Sequence, residues 1–416
     1  MSNNHQFPDE VTVLHLSDIH FSRAQKIQSK IREHILSSII DHLTEVSNYD
    51  SSWSPKAIAI SGDITFKGDK SEYELAGEWI ESLIKSLGLS NSDVFICPGN
   101  HDIRRHKIRE RTKSFKTSHQ VMSFAHSELI IDDEKIADFA NSEFRTYSEF
   151  CRKHGFNDLE SLEGFDNNFI VGCKIHEKTG LAFNILNSSW LCRGCNPLAD
   201  PDSDDFGPLD WGNLFISKPI TENILRLSKT NAELYSEIIP SFTLIHHPPD
   251  WLNRRERYRD RPESYPAYEV VVNNSDFILS GHEHALGKSP DKISNKALLI
   301  MAGASFFKET ADGKGNFINQ DNYNSFNLLK VNRANQTLTK REFYFNLAHS
   351  YGSWKELKMA DDEQVHSFGN KINDMVNEWP NMKATVDLLK KNQEILLKRI
   401  EGNPPYPNFL NPNNVR

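Results

Sequence analysis

Five short stretches of this sequence crowd metal-seeking side chains together. They are Asp18-Ile19-His20, Gly62-Asp63, Gly99-Asn100-His101-Asp102, His246-His247-Pro248 and Gly281-His282-Glu283-His284. Carboxylates, an amide and imidazoles make a mixed oxygen and nitrogen donor set without thiolate, which suits manganese, iron, zinc or nickel better than magnesium or calcium. One aspartate can bridge two ions, and two divalent ions held by two aspartates keep the residual positive charge that a phosphate ester needs. Such ions, about 3.5–4 Å apart, lower the pKa of a shared water and clamp the attacking and leaving oxygens of an in-line displacement. In the third stretch Asn100 reads as a neutral ligand. His101 is then free to protonate a departing alkoxide, with Asp102 placed to fix its tautomer.

Each stretch ends an apolar run: VTVLHL at 11–16, KAIAI at 56–60, VFIC at 94–97, FTLI at 242–245 and DFILS at 276–280. Short runs rich in Val, Ile and Phe, closed by Gly or Pro, predict buried strands. Ile27, Ile31, Ile35, Ile39 and Leu43 recur every four residues and predict a helix over 25–46, and Tyr73, Ala76, Ile80, Leu83 and Leu87 predict another over 71–87. This β, α, β, α, β order buries strands between layers and gathers functional groups beyond their carboxyl ends. Runs at 297–303, 325–331 and 337–345, with little helix between, read as antiparallel strands. The expected architecture is α/β: two sheets packed face to face with helices outside. Residues 104–165 read as a helix-rich insertion. From about 349 onward, Val365, Phe368, Ile372, Met375 and Trp379 share one helical face, and Val386, Leu389, Leu396 and Ile400 another, which predicts a helical C-terminal appendage.

In type and order the five stretches resemble the signature blocks of the calcineurin-like metallophosphoesterases, over roughly residues 11–303. The resemblance implies the family's four-layer fold of two mixed sheets, with a catalytic domain over 1–348 and an extension over 349–416. It implies that Asp18, His20, Asp63 and His284 hold one metal and that Asp63, Asn100, His246 and His282 hold a second, with Asp63 bridging. His101 and Asp102 would be the catalytic pair. Manganese is the first expectation for both ions, with iron, zinc or nickel as alternatives. The activity implied is hydrolysis of a phosphodiester bond in a nucleotide-type substrate by in-line attack of a hydroxide held between the metals. A repair-type nuclease working with an ATPase partner is the alternative, the helices after residue 349 being a docking element for it. A scaffold that binds protein without catalysis is a third reading, and the complete ligand set argues against it.

Composition sets outer limits. The chain has 416 residues, 38% of them hydrophobic, enough for a sizeable core, and its formal charge of −9 gives no overall pull toward nucleic acid or an anionic membrane. The stretch MSNNHQFPDE has no basic region leading into an apolar one, and no run approaches the roughly 20 apolar residues that span a bilayer, so the expectation is a cytoplasmic chain without a membrane partner. Five cysteines, with Cys192 and Cys195 the only close pair, read as structural thiols. Of the 17 histidines, His5, His15, His34, His42, His106, His119, His126, His154, His176 and His349 close no strand beside Asp, Asn or Gly and read as structural or surface residues. His247 reads equally as a substrate contact or as a brace for His246, and Glu283 reads as pointing away. Two basic clusters, at 104–116 and 254–261, begin close after proposed ligands. Each reads as a solvated helix face or as a rim for phosphates other than the scissile one, and Tyr258, Tyr265 and Tyr268 as base-stacking or packing residues.

Overall fold

A computed structural model describes residues 6–22, 26–104, 142–160, 170–193, 210–259, 265–284, 286–288, 290–293, 297–306, 324–346, 352–358 and 365–368. Residues 105–116 of the first basic cluster, residues 260 and 261 of the second, residues 105–141 and 161–165 of the expected insertion, Cys195 and the helices expected beyond residue 368 lie outside these residues. None of the described helices is long and apolar enough to cross a membrane.

The first sheet holds β1 (Glu10–Leu16), β2 (Pro55–Ile60), β3 (Val94–Ile96), β10 (Ser325–Asn332), β11 (Thr337–Asn346), β12 (Ser353–Glu356) and β13 (Val365–Ser367). Its order is β12-β11-β10-β1-β2-β3, with β13 added to β11. β1, β2 and β3 are parallel, while β10 runs antiparallel to β1. The second sheet holds β4 (Gly172–His176), β5 (Leu181–Ile185), β6 (Ser241–Leu244), β7 (Phe277–Ser280), β8 (Asp291–Ile293) and β9 (Ala297–Met301), in the order β4-β5-β6-β7-β9-β8. β9 joins β7 in parallel rather than continuing an antiparallel run.

Alternation along the strands sorts side chains into two cores. Val11, Val13, Ala57, Ala59 and Phe95 meet Phe183, Phe242 and Phe277 between the sheets. Leu14, Leu16, Ile58 and Ile60 instead pack with Ile35, Leu36, Ile39 and Leu43 of α1 (Lys26–Tyr49) and Ile80 and Leu83 of α2 (Lys70–Leu87). Phe95 stacks on Phe183 at 3.9 Å across the sheets, and Phe183, Phe242 and Phe277 continue as cross-strand neighbours on β5, β6 and β7. Helices α3 (Arg145–His154), α4 (Lys218–Ala232) and α6 (Ala267–Asn274) and the single turn α5 (Arg254–Arg257) complete the described helices.

The described residues past 348, at 352–358 and 365–368, depart from the expected helical face. Val365 begins a strand that pairs Thr339 on β11, and Phe368 closes the phenylalanine ladder at 4.9 Å from Phe277. β12 is likewise held, with Trp354 buried and its indole donating to Ser38 Oγ of α1. Two apolar residues three apart fit a helix or a strand end equally, and the exposed edge of β11 decides for the strand.

Candidate metal centre and active site

The parallel order places the carboxyl ends of β1, β2, β3, β6 and β7 together, and the five polar stretches follow directly. The loops after β1 and β2 interlock: Asp18 N–H donates to Gly62 O and His20 N–H to Asp63 O, each at 3.0 Å. Backbone conformation then turns the ligands inward. Among the described residues eight non-glycine residues have positive φ, and five of them are Asp18, His20, Asp63, His282 and His284. Close approach matters too. A Cβ on Gly62 would lie 2.5 Å from the His246 ring, and one on Gly281 would overlap Ser17 Oγ and Asp18 Oδ2. These glycines let two loops touch where a side chain would part them.

All seven proposed ligands meet in this space. Asp18 Oδ1 lies 3.2 Å from His284 Nε2 and 3.8 Å from His20 Nε2. Asp63 Oδ2 lies between the two groups, 4.0 Å from His20 Nε2 and 3.3 Å from His246 Nε2. Asn100 Oδ1 is 3.0 Å from His246 Nε2 and 3.1 Å from His282 Nδ1. His246 donates its other ring nitrogen, Nδ1, to Ser61 O at 2.7 Å, which aims the Nε2 lone pair at Asp63, Asn100 and His282. Lone-pair atoms facing one another at 3.0–3.3 Å repel unless a proton or a metal ion lies between them, and this mixed oxygen and nitrogen donor set fits a divalent metal.

Protonation follows from burial and charge. Burial pushes His20 and His282 down to about 3, so both present neutral nitrogen. Burial would lower His246 as well, but the Asp63 and Asp18 carboxylates raise it to about 9. Against burial, which acts the other way, the neighbouring imidazoles hold Asp18 and Asp63 below the usual carboxylate range.

Asp102 takes a different place from the one expected of it. Its carboxylate accepts from the backbone N–H of Ile64, Thr65 and Gly99 and from Thr65 Oγ1, bracing the loops after β2 and β3. Burial and the nearby Asp63 charge push it up to about 7. The His101 ring is held instead by Phe66 O, which accepts from Nδ1 at 2.8 Å, and by stacking on the Phe66 ring at 5.3 Å. Residue adjacency suggested the pair; the turn at 99–102 separates the two side chains. The His101 ring lies beside that of His20, at 4.9 Å between centroids.

His247 is fully buried, with Nδ1 2.8 Å from Ser188 Oγ and its ring 4.5 Å from that of His282, the position of a brace. His15, His154 and His176 are hydrogen-bonded to Ser61, Glu81 and Asp93. Tyr268 packs in the core, whereas Tyr258 and Tyr265 are exposed and carry Arg257 and Arg259 over their rings. A pair that sequence reasoning passed over stands beside the ligand cluster. Trp251 meets His282 edge to face at 4.0 Å, and Trp211 meets Trp251 in the same manner at 4.9 Å. The proximity of Trp251 to His247 in HHPPDW was the available signal.

The basic turn α5 is anchored from beneath by Glu256, whose buried carboxylate accepts from Ile216 N–H at 3.1 Å. Burial raises this carboxyl to about 7. Below the unfolded value of about 4.5 both states are protonated, whereas between there and about 7 only the folded state holds the proton, so this group's contribution falls with rising pH across that window. Glu256→Gln should flatten the slope and stabilise the protein above pH 7 by up to about 3 kcal/mol. Urea unfolding at pH 5 and pH 8 measures both; an unchanged slope would place the carboxylate among better partners than Ile216.

Sequence comparison agrees with the geometry. The profile of the calcineurin-like phosphoesterases matches residues 11–286. A 100-residue stretch is 34% identical to the uncharacterized metallophosphoesterase-like protein YydB of Bacillus subtilis (strain 168), covering 24% of this chain and 19% of that protein. Among solved structures, the calcineurin-like phosphoesterase YfkN from Bacillus subtilis aligns at 12% identity over 92% of this chain and 99% of its own, with a TM-score of 0.29. A purple acid phosphatase from yellow lupin seeds aligns at 10% identity over 82% of this chain and 52% of its own, with a TM-score of 0.35. The profile match spans all five strand-end clusters, through His284, and with it the chain belongs to the calcineurin-like phosphoesterases.

Proposed function

We propose that the chain is a dinuclear phosphodiesterase acting on a nucleotide-type substrate. The observation that carries this reading is the position of Asp63 Oδ2 between the His20 and the His246 nitrogens, where one oxygen serves two ligand groups. Asp18, His20 and His284 complete one group, and Asn100, His246 and His282 the other. Two divalent ions held there would supply a positive clamp for a phosphoryl group and lower the pKa of a water between them. The protein's own residues do the rest. Asp63 is fixed by the His101 backbone N–H on Oδ1, which leaves Oδ2 for the shared position. Ser61 O and Phe66 O fix the tautomers of His246 and His101. Nε2 of His101 then delivers a proton to the departing oxygen, the demand made by an alkoxide leaving a diester. Arg254 and Arg255, exposed on α5 just past Trp251, offer charge to the part of the substrate that stays outside the clamp.

The test is a panel of metal-loaded protein on bis(p-nitrophenyl) phosphate, p-nitrophenyl phosphate, cyclic and linear nucleotides, and single-stranded DNA, with metal content measured in parallel. Two ions per chain and faster turnover of nucleotide diesters than of monoesters are expected. Preference for the monoester, or one ion at saturating metal, would overturn the reading, and cleavage confined to DNA would replace it with a nuclease.

A further inference from the structure

We propose that Trp211 and Trp251 form a stacking wall for the nucleobase of the substrate. The proposal rests on the reading above for where the phosphate sits, and it adds which part of the substrate gives affinity. The wall begins at the ligand cluster itself, because Trp251 lies 4.0 Å from the His282 ring at an interplanar angle of 84°. Trp211 extends it outward, meeting Trp251 at 4.9 Å and 74°, yet keeps 52% of its surface in solvent.

A half-exposed tryptophan is ordinary on a flexible loop. This one stands on a fixed turn. Leu214 N–H donates to Trp251 O at 3.2 Å and Asn253 N–H to Leu214 O at 2.6 Å, so the two segments bridge as short parallel strands. Asn253 Nδ2 adds a bond to Gly212 O at 3.2 Å, and Asp210 Oδ1 accepts from Arg193 N–H at 2.7 Å. Leu214 and Leu252 are fully buried beneath. The indole is therefore held in place without being covered, and the ordering cost of a binding surface has been met in advance.

The occupant follows from what adjoins the wall. One side is a cluster of donors for phosphate-binding metal and the other is a π-face two successive ring contacts away, at 4.0 and 4.9 Å, so a ligand that satisfies both carries a phosphate and an aromatic ring on one small spacer. That is a nucleotide. Stacking on an aromatic side chain is tolerant of base identity, so purines and pyrimidines both qualify, and the larger purine covers more of the ring. By the usual size of such contacts the base should tighten binding about 5- to 150-fold.

Calorimetric titration of the metal-loaded full chain with adenosine 5′-monophosphate and with ribose 5-phosphate separates the base from the phosphate. The nucleotide should bind at least about 5-fold more tightly. Trp211→Ala should bring that ratio close to one, and Trp211→Phe, which keeps an aromatic face, should preserve most of it. Equal affinities in the unaltered protein, or a ratio that survives Trp211→Ala, would overturn the proposal. Because the titration involves no bond cleavage, it can fail while the diesterase panel succeeds, and the reverse.

Discussion

Asp63→Asn should leave a folded protein that binds fewer metal ions and turns over phosphodiesters on the order of 10³-fold more slowly, or worse. The substitution keeps the size of the side chain, and asparagine tolerates the positive φ of this position at least as well as aspartate. Oδ1 can still accept from the His101 N–H. What changes is the atom beside His20 and His246, where an amide nitrogen would replace a charged oxygen if the other half keeps its backbone bond. An amide bridges two cations poorly, so both ligand groups lose at once, unlike a change at His284 or Asn100 that touches one. Elemental analysis after dialysis and turnover of bis(p-nitrophenyl) phosphate measure the two losses. A variant with two ions per chain and activity within tenfold of the parent would remove Asp63 from the bridging place.

His101→Ala should separate chemistry from metal binding. Its ring is held by Phe66, through Nδ1 on Phe66 O and by stacking, and it is not one of the seven proposed ligands. Metal content should therefore be unchanged. General acid catalysis contributes about 10²–10⁴-fold, and its size depends on how basic the leaving oxygen is. Turnover of a nucleotide diester, which expels an alkoxide, should fall through that range, while bis(p-nitrophenyl) phosphate, which expels a stable phenolate, should fall much less. Equal losses on the two esters, or a missing ion, would make His101 an electrostatic clamp or a ligand.

The candidate donors were legible because each lies within four residues past the end of a strand whose apolar run is itself local. The existence of β1, β2, β3, β6 and β7 as strands followed from the same runs. Asp102 was misplaced because neighbours in sequence need not be neighbours in a tight turn: its carboxylate points back to Ile64 and Thr65, thirty-seven residues or more away. β4 and β5 were passed over because GCKIH and LAFNI carry polar residues at intervals that interrupt an apolar run, although both are buried in the second sheet. The tryptophan wall needs the bridge between Leu214 and Leu252, a contact that no pattern in either segment announces.

The left-handed backbone at Asp18, His20, Asp63, His282 and His284 has a consequence for how far this protein can be made robust. A non-glycine residue in that region costs about 1–3 kcal/mol, and five of them together rival the whole margin of a typical domain. Glycine would relieve much of that cost at each position, and asparagine would do so in part, yet each exchange would delete a ligand. Heat resistance and catalysis thus pull on the same five residues in opposite directions. Selection for thermal survival alone, in the absence of metal, would drift toward inactive chains, whereas selection under saturating metal would hold the ligands and gather its gains in the helices and the phenylalanine ladder.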